Sequence, residues 1–478
     1  MREILAQDKS VVYPKDSSVW QDSVPSFSMS RIIFPQMNFL YIVNQYPKTS
    51  ESFIRDEVTN LRGIGHRIDI VSLVEAVPDL GVPVEPPNVH YVPGISQVLE
   101  MIDPYMVESA KDWGLHLGSC ITYLQFHKKG SEQIGHFIKA LWVALYVLKL
   151  SPNIRAIHAH FATDAASVAF FLSRMTGIPY AVTCHAYDIF CRNSRKQVVE
   201  RNLREAGLII TISQYNKEFL RDVVTGSDDR IQVVPNGVDT EFFAPKSGLV
   251  RNADILQIVS VGRLVAKKGF ADLVRALAIC QNADCSAVKN LRIIHDGDGL
   301  DNECSRELRD LIKLLELDDR VTIEGRLGRA QIRQALCESD LFILLCKTAP
   351  NGDRDGMPVA MLEAMSCALP CISTRVSGIP EVIESGETGM LVEPDAPDET
   401  ACAIQCIEAD RMGAVKMGLR AREKIRISHR KDVQASRVAA LLTELAESPR
   451  ITNCRQECMR SGLCHCERRY RKPMKWAT

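Results

Sequence analysis

Short apolar runs alternate with stretches whose apolar positions recur every three or four residues, along almost the whole chain. The run NFLYIVNQY at 38–46 predicts a strand. The next stretch, SESFIRDEVTNLRGIGH, puts Phe53, Ile54, Val58 and Leu61 on one helical face. Ser50 or Ser52 is placed to cap its start, and Gly63 and Gly65 to stop it. RIDIVSL, AIHAHF, YAVTCH, GLIITIS and IQVVPN predict further strands, with helices over 163–175 and 214–224. This repeated strand–helix order predicts a parallel sheet covered by helices on both faces.

The segment PNGVDTEFFAPKSG is dense in Pro, Asn, Asp and Gly and predicts a turn-filled linker, with a hinge near 236–250. A second series comes after it: ILQIVSVGRL, LRIIHDGD, RVTIEG, LFILLC, PCISTR and TGMLVEP as strands, separated by helices from about Gly269, from about Asn302 and near 329–339. Two helices close the pattern. The expected division is an N-terminal extension over 1–37, a first domain over 38–240, a second over 251–428, a C-terminal helix over 429–448 that crosses back to the first, and a tail over 449–478. Two domains also suit the length, since 478 residues exceed what one core supports. Open parallel sheets bind ligands beyond the carboxyl ends of their strands, so two facing sheets imply a site in the cleft they share.

Composition narrows the function class. A net charge of −1 provides no field for nucleic acid. The first thirty residues carry Asp8, Lys9, Lys15 and Asp16 and show no apolar leader. FIKALWVALYVLKL at 137–150 is shorter than a membrane span and holds Lys139 and Lys149, so a buried helix is expected there, with a surface-lying one as the alternative. Most of the sixteen cysteines fall inside predicted helices and strands, as reduced buried thiols do. The tail differs. Cys454, Cys458, Cys464, His465 and Cys466 cluster there, at no common zinc spacing, among eight Lys or Arg and two Glu. A basic tail reaching anionic lipid and a metal-binding tail are both compatible with it.

The chemistry concentrates in RDGMPVAMLEAMSCALP, residues 354–370. VAMLEAM predicts a helix with Pro358 in its first turn. Gly356 leaves room for a ligand near the backbone, and a helix N-terminus offers unpaired amides suited to a phosphate or sugar hydroxyls. Asp355 lies at that end and Glu363 about a turn and a half inside. The two carboxylates then sit at different depths, suited to two separated hydroxyl-bearing groups of one ligand rather than to a dyad.

An acidic residue, seven residues, Glu363 and a following GxPxxS/T-like pattern resemble the signature of the retaining family 4 glycosyltransferases. Asp355 stands where Glu is usual, and Ala368 where Gly often precedes Leu-Pro. DGMPVAMLEAM and CISTRVSGIPE are most similar to the exopolysaccharide, colanic-acid-type branch. The resemblance spans roughly residues 39 to 445. It implies the α/β GT-B architecture, two doubly wound Rossmann-like domains facing each other across a cleft.

By this resemblance Glu363 grips the ribose of a nucleotide, and Gly356 and Met357 belong to the same donor-binding turn. Asp355 and His185 meet the donor sugar. Arg263 and Lys268, from SVGRLVAKKG, neutralise the diphosphate as it leaves. Lys267 is expected to be solvated. In TCHAYDIF, Asp188 either orients His185 or caps the next helix. His158 and His160 share one side of a strand, which invites a metal reading; with no obvious third ligand, a structural or acceptor-contacting role is favoured. Ser50 and Glu51, in the turn YPKTSESF, match the exopolysaccharide branch and face donor or acceptor. PNGVD at 235–239 is expected to serve turn geometry and hinge support.

DRD at 353–355 and DGD at 296–298 share the Asp-x-Asp spacing of metal-dependent transferases of another fold, which the double series contradicts. HDGDG is read instead as a ligand-facing turn near the base. No GxGxxG comes after the first strand, so a dinucleotide oxidoreductase is a poor fit. The resemblance therefore implies a metal-independent, cofactor-free hexosyltransferase using a nucleotide-diphosphate sugar. Its acceptor would be a glycan or lipid-linked oligosaccharide, and its place cytoplasmic or peripheral at the inner face of the membrane. The alternatives are a non-catalytic scaffold of the same fold and a nucleotide-sugar epimerase.

Overall fold

The structure is a computed structural model. It describes residues 10–12, 35–75, 88–101, 117–127, 131–151, 153–191, 196–224, 228–246, 250–252, 254–282, 288–295 and 303–448. The chain divides into two compact units, one holding 35–235 and 432–448 of these residues, the other 10–12 and 236–431. Strands are numbered in chain order. β1 (Ser10–Val12) forms a small antiparallel ribbon with β9 (Val250–Asn252). The Cys-rich tail, the Asp296 to Asp298 pair and the N-terminal extension other than residues 10–12 and 35–37 lie outside the described residues.

The first unit is built on seven parallel strands: β2 (Asn38–Gln45), β3 (Arg67–Val74), β4 (Val89–Tyr91), β5 (Ile154–His160), β6 (Tyr180–Cys184), β7 (Leu208–Thr211) and β8 (Ile231–Val233). Their spatial order is β4-β3-β2-β5-β6-β7-β8. Phe39 to Val43 are fully buried, on both faces of the strand. That is why this stretch reads as a continuous apolar run and not as an alternation. One face is covered by the helix Asp164–Thr176, whose Ala165, Ala166 and Ala169 permit close approach while Phe170 and Phe171 fill the core. Gly177, at φ +67°, ends it in the left-handed conformation that glycine adopts without strain. The other face is covered by Ser52–Gly63 and by the last helix, Lys431–Glu447. Ala435, Val438, Ala439, Leu442 and Leu445 of that helix join Phe39, Tyr41, Ile54 and Val58 in one core. Neither Ser50 nor Ser52 caps Ser52–Gly63; a 3-10 turn at Thr49–Glu51 leads into it instead.

Two features of this unit depart from the sequence reading. The strand β4 and the helices Ile95–Met101 and Leu117–His127 have patterns too short or too weakly amphipathic to register. The expected helix at 137–150 begins earlier, at Ser131, and runs to Leu150 through a wider π turn at Val143–Val147. It is long and apolar enough to cross a membrane, contrary to the reading that no span is. In the fold it packs against Asp164–Thr176, and its residues from Ala140 to Leu145 are core.

The second unit holds β10 (Ile255–Val261), β11 (Val288–Ile294), β12 (Val321–Glu324), β13 (Leu341–Leu344), β14 (Cys371–Thr374) and β15 (Met390–Val392). The order is β12-β11-β10-β13-β14-β15, again all parallel. Each large sheet therefore reverses its winding once, between β2 and β5 and between β10 and β13. Such a reversal opens a crevice beyond the carboxyl ends of the two strands.

PNGVD does more than turn the chain. Val238 pairs as a parallel bridge with Arg430, and its N–H donates to the His429 carbonyl at 2.7 Å. Lys431 Nζ meets Asp239 Oδ2 at 2.6 Å. A Cβ on Gly237 would stand 2.5 Å from the Lys431 Cα, so only glycine lets the two segments lie together. The stretch is the seat on which the returning chain is held before its last helix.

Candidate active site

In the second unit the crevice is made by the segments that leave β10 and β13. After β10 the chain runs through Gly262 and Arg263 into a 3-10 turn at Ala266–Lys268, closed by Gly269 at φ +67°. A Cβ on Gly269 would lie 1.9 Å from the Leu345 carbonyl oxygen, so the lysine turn sits directly on the backbone leaving β13. This contact brings Lys267 and Lys268 to the Asp353–Asp355 loop. Lys268 Nζ is 2.9 Å from Asp355 Oδ2. Lys267 Nζ is 2.9 Å from Asp353 Oδ1 and 3.6 Å from Asp355 Oδ1. The Cys346 thiol donates to Asp355 Oδ2 at 3.3 Å. Burial opposes ionisation of Asp355, but Lys268 and Lys267 outweigh it and hold the carboxyl well below the usual range. Burial likewise works against Lys268, and the Asp355 carboxylate reverses that, raising its pKa. Burial and the same carboxylate push the Cys346 thiol far up, which keeps it protonated and inert.

The expectation that Lys267 is solvated is overturned. It is buried and is the inner member of this network. Its neighbour Arg263 is exposed and makes no ion pair among the described residues. Two lysines thus face two aspartates, and Arg263 supplies the positive charge beyond that balance. The predicted helix is Val359–Ser366, with Pro358 at its N-cap and Glu363 half-buried one turn in. Gly356 and Met357 are buried before it. The Gly356 carbonyl accepts from the Gly378 N–H at 3.0 Å, and the Met357 carbonyl from the Asn236 side chain at 3.3 Å. Asn236, read from the sequence only as a turn residue, therefore helps shape the loop entering the Glu363 helix.

The helix ends in a Schellman arrangement. The Ala368 N–H donates to the Met365 carbonyl at 3.0 Å and the Leu369 N–H to the Ala364 carbonyl at 3.1 Å. Ala368 occupies the left-handed position, at φ +59°. This is the position where the sequence departs from the Gly of the pattern.

In the first unit the corresponding crevice is lined by histidines. His160 ends β5 and His185 comes directly after β6, with Nδ1 of the former 3.2 Å from Nε2 of the latter. His185 packs against the tilted rings of Phe53 and Phe161 at centroid distances of 4.6 and 4.7 Å. Among the described residues Asp188 makes no hydrogen bond to the His185 imidazole. Its carboxylate accepts from the backbone N–H groups of Ala162, His185 and Ala186 at 2.9, 3.0 and 3.0 Å, which fixes the two loops against each other. Asn216 donates to the His185 carbonyl at 2.9 Å.

The third group that the sequence did not reveal beside His158 and His160 is Glu57, from the helix Ser52–Gly63. Its Oε1 lies 3.5 Å from His158 Nδ1, 3.4 Å from His160 Nε2 and 2.7 Å from the Tyr41 hydroxyl. Carboxylate and imidazoles are close enough to hold a cation. The Tyr41 hydroxyl donates to Glu57, while His158 Nδ1 and His160 Nε2 face it at ion-pair distance with no hydrogen-bond partner among the described residues. Burial penalises the Glu57 carboxylate less than these neighbours stabilise it, and its pKa falls to about 2. Burial pushes His158 down to about 3 and keeps it neutral. Ser50 is exposed, and Glu51 is tied to Lys48 at 2.6 Å; neither joins the histidine group.

Comparison with known proteins bears on the family and the fold. Residues 121–242 match the family described as Glycosyltransferase Family 4, and residues 256–410 the family described as Glycosyl transferases group 1. N-acetyl-alpha-D-glucosaminyl L-malate synthase of Bacillus anthracis is 30% identical over 289 residues, 57% of this chain and 70% of that protein. The chain belongs to glycosyltransferase family 4. This family 4 enzyme is also similar to the amylovoran biosynthesis glycosyltransferase AmsK of Erwinia amylovora, at 26% identity over 86% of this chain and all of that one (100%). A putative colanic acid biosynthesis glycosyltransferase, WcaL of Salmonella typhimurium, is 26% identical over 85% of this chain and 99% of its own. Among solved structures, Anabaena HepE in complex with UDP-glucose superposes with a TM-score of 0.62 over 86% of this chain and 100% of that one, at 18% identity. The fold is therefore GT-B, as the two parallel sheets already indicate.

Proposed function

We propose that this glycosyltransferase works in exopolysaccharide assembly. It moves a sugar, with retention of configuration, from a nucleoside-diphosphate donor to a hydroxyl of a growing glycan, in a lipid-linked intermediate. The observation that carries the reading is the Lys268–Asp355–Lys267 network at the β10/β13 crevice, with Arg263 beside it. An ammonium has three donors, so Lys268 can keep Asp355 and still reach a phosphate oxygen. Arg263 adds a forked donor suited to phosphate. Fixed positive charge where the diphosphate gathers negative charge is the main catalytic contribution in this reading. No metal is required for it. Asp355 retains acceptor capacity for a sugar hydroxyl, Glu363 takes the ribose, Gly356 and Met357 line the donor turn, and His185 meets a further sugar hydroxyl. Ser50 and Glu51 belong to the acceptor-side turn.

The similarity to the amylovoran and colanic acid enzymes supports the polymer class, and the UDP-glucose complex of a GT-B neighbour supports the donor class. A cytoplasmic, membrane-peripheral location is the one a lipid-linked acceptor calls for. The test is thermal stability against UDP, GDP, ADP, TDP and CMP, each with and without manganese. One diphosphate, at about a hundred times its dissociation constant, should add roughly 2.7 kcal/mol irrespective of metal. A shift that requires manganese, or no shift with any nucleotide, overturns the reading.

A further inference from the structure

His158 and His160 stand two residues apart on β5 and so share one side of it, where Glu57 of the helix Ser52–Gly63 meets them. We propose that Glu57, His158 and His160 form a binding site for one divalent transition-metal ion of the zinc class, which ties that helix to the strand. The inference is independent of the proposed function. None of the three ligands belongs to the charged network at the β10/β13 crevice, so an ion here is compatible with a donor site that uses none.

The spacing is too long for direct hydrogen bonds and right for coordination. An imidazole N–H bonded to a carboxylate closes to about 2.7–2.9 Å. His158 Nδ1 and His160 Nε2 stand off from Glu57 Oε1 by 3.5 and 3.4 Å. Ligand atoms about 2.0–2.1 Å from a tetrahedral ion are roughly 3.3–3.4 Å from one another. The carboxylate oxygen and the two nitrogens all lie within 4.8 Å of one another. Both histidines are fully buried, and neither of these nitrogens has a hydrogen-bond partner among the described residues. Polar atoms sealed from solvent are rarely left unpaired. Two that face one carboxylate oxygen call for a common partner between them, and a cation is that partner for all three.

The rings are also held from behind, as metal-binding histidines are. His158 Nε2 is hydrogen-bonded to the Thr183 hydroxyl at 2.7 Å, and His160 Nδ1 to His185 Nε2 at 3.2 Å. Each ring thus has its far nitrogen anchored and its near nitrogen turned to Glu57. The Tyr41 hydroxyl donates to Glu57 Oε1 at 2.7 Å and orients the carboxylate. Tyr41 stands there because it pairs in register with His158 across β2 and β5. Two imidazoles and a carboxylate favour zinc and its neighbours over magnesium and calcium, which prefer oxygen. Three protein ligands leave a fourth place for water. The cluster Glu132, His136 and Asp164 has comparable groups but not this geometry: His136 Nε2 pairs directly with Asp164 Oδ1 at 3.1 Å, and Glu132 is exposed.

The test uses the full chain carrying Cys454→Ser, Cys458→Ser, Cys464→Ser, His465→Ala and Cys466→Ser, so that the tail contributes no ligand. After chelator treatment it is titrated with zinc alone at neutral pH, and the ligand atoms are read by X-ray absorption at the zinc edge. One zinc per chain should bind through nitrogen and oxygen, with two imidazoles in its shell, and raise the melting temperature. Loss of an anchoring partner costs about 10–100-fold in metal affinity, which is the effect expected of Thr183→Val. Loss of a ligand, in Glu57→Gln or His160→Phe, should cost more than about a hundredfold. His136→Phe should leave zinc binding unchanged. If the ligand variants fail to fold, the absorption spectrum of the parent chain still decides. No zinc on the folded parent, sulfur or fewer than two imidazoles in the shell, an affinity unchanged in a folded Glu57→Gln, or zinc lost in His136→Phe would each overturn the inference. Zinc is measured without donor or turnover. An inactive protein that binds it counts against the proposed function alone, and an active one that binds none against this inference alone.

Discussion

The two crevices are built on the same topology and filled with opposite electrostatics. Both lie beyond the switch point of a parallel sheet, after β10 and β13 in one unit and after β2 and β5 in the other. In the second unit the groups are full charges, two largely buried lysines against two aspartates. In the first they are one carboxylate and three imidazoles, of which burial holds His158 and His185 neutral. Charges at fixed positions suit a ligand that is itself charged and becomes more so during reaction. Oriented neutral donors and acceptors suit hydroxyls.

Breaking the charged site should have the largest effect. Lys268→Met leaves Asp355 against a single lysine. It should cost about 3–5 kcal/mol of stability, as removal of one member of a buried pair does, and abolish transfer. Calorimetry and a donor-turnover assay check both. Arg263→Ala separates the two consequences. Because Arg263 is exposed and makes no ion pair among the described residues, its loss should leave the melting temperature unchanged and lower kcat by about 10²–10³. A large loss of stability there would place Arg263 in the structural network instead.

Gly269→Ala tests the same site from the backbone side, since it drives a Cβ into the Leu345 carbonyl at a positive φ. A destabilisation of about 3 kcal/mol is expected, measured by denaturant unfolding, with weakened nucleotide binding.

Acid stability probes both units together. Glu57 and Asp355 each titrate below the unfolded carboxylate range, so their contributions are complete above about pH 4.5 and are lost as pH falls through the folded values. For Glu57 the window runs from the usual carboxylate range down to about 2. Glu57→Gln should therefore lose less stability than wild type across that window in pH-dependent melting. An identical acid profile would mean that Glu57 is not held by the histidines. The smallest effect is at Ala368, which occupies a glycine position at φ +59°. Ala368→Gly should stabilise by about 0.5–1 kcal/mol, left-handed strain relieved outweighing the added chain entropy, and raise the melting temperature by a few degrees.

Much of this was legible in the chain. The alternation of apolar runs with helical periodicity marks twelve of the strands described above, because a parallel strand buried on both faces and a helix buried on one leave different periods. Arg263 and Lys268 were singled out because they come just after a strand in SVGRLVAKKG, and Asp355 because it precedes the helix that carries Glu363; that Lys268 and Asp355 pair was not legible. Glu363 was singled out by its spacing from Asp355. Ala368 was noted only as a departure; that it adopts a positive φ needed the backbone.

Local period and motif order depend on neighbours a few residues apart, and the chain carries both without help from the fold. The partners came from tertiary structure. Glu57 reaches His158 and His160 only because β2 and β5 pair side by side, carrying the Ser52–Gly63 helix over β5. Lys267 is buried rather than solvated because Gly269 seats the lysine turn on Leu345 and brings Asp353 against it. The return of the last helix to the first sheet was an expectation from the sequence, but which of its residues enter that core, Ala435, Val438, Ala439, Leu442 and Leu445, was decided by the packing. The physical reason is common to the three. A side chain's charge state and burial are set by groups within a few ångströms, and in a doubly wound sheet those groups come from the adjoining crossover, not from the adjoining residue.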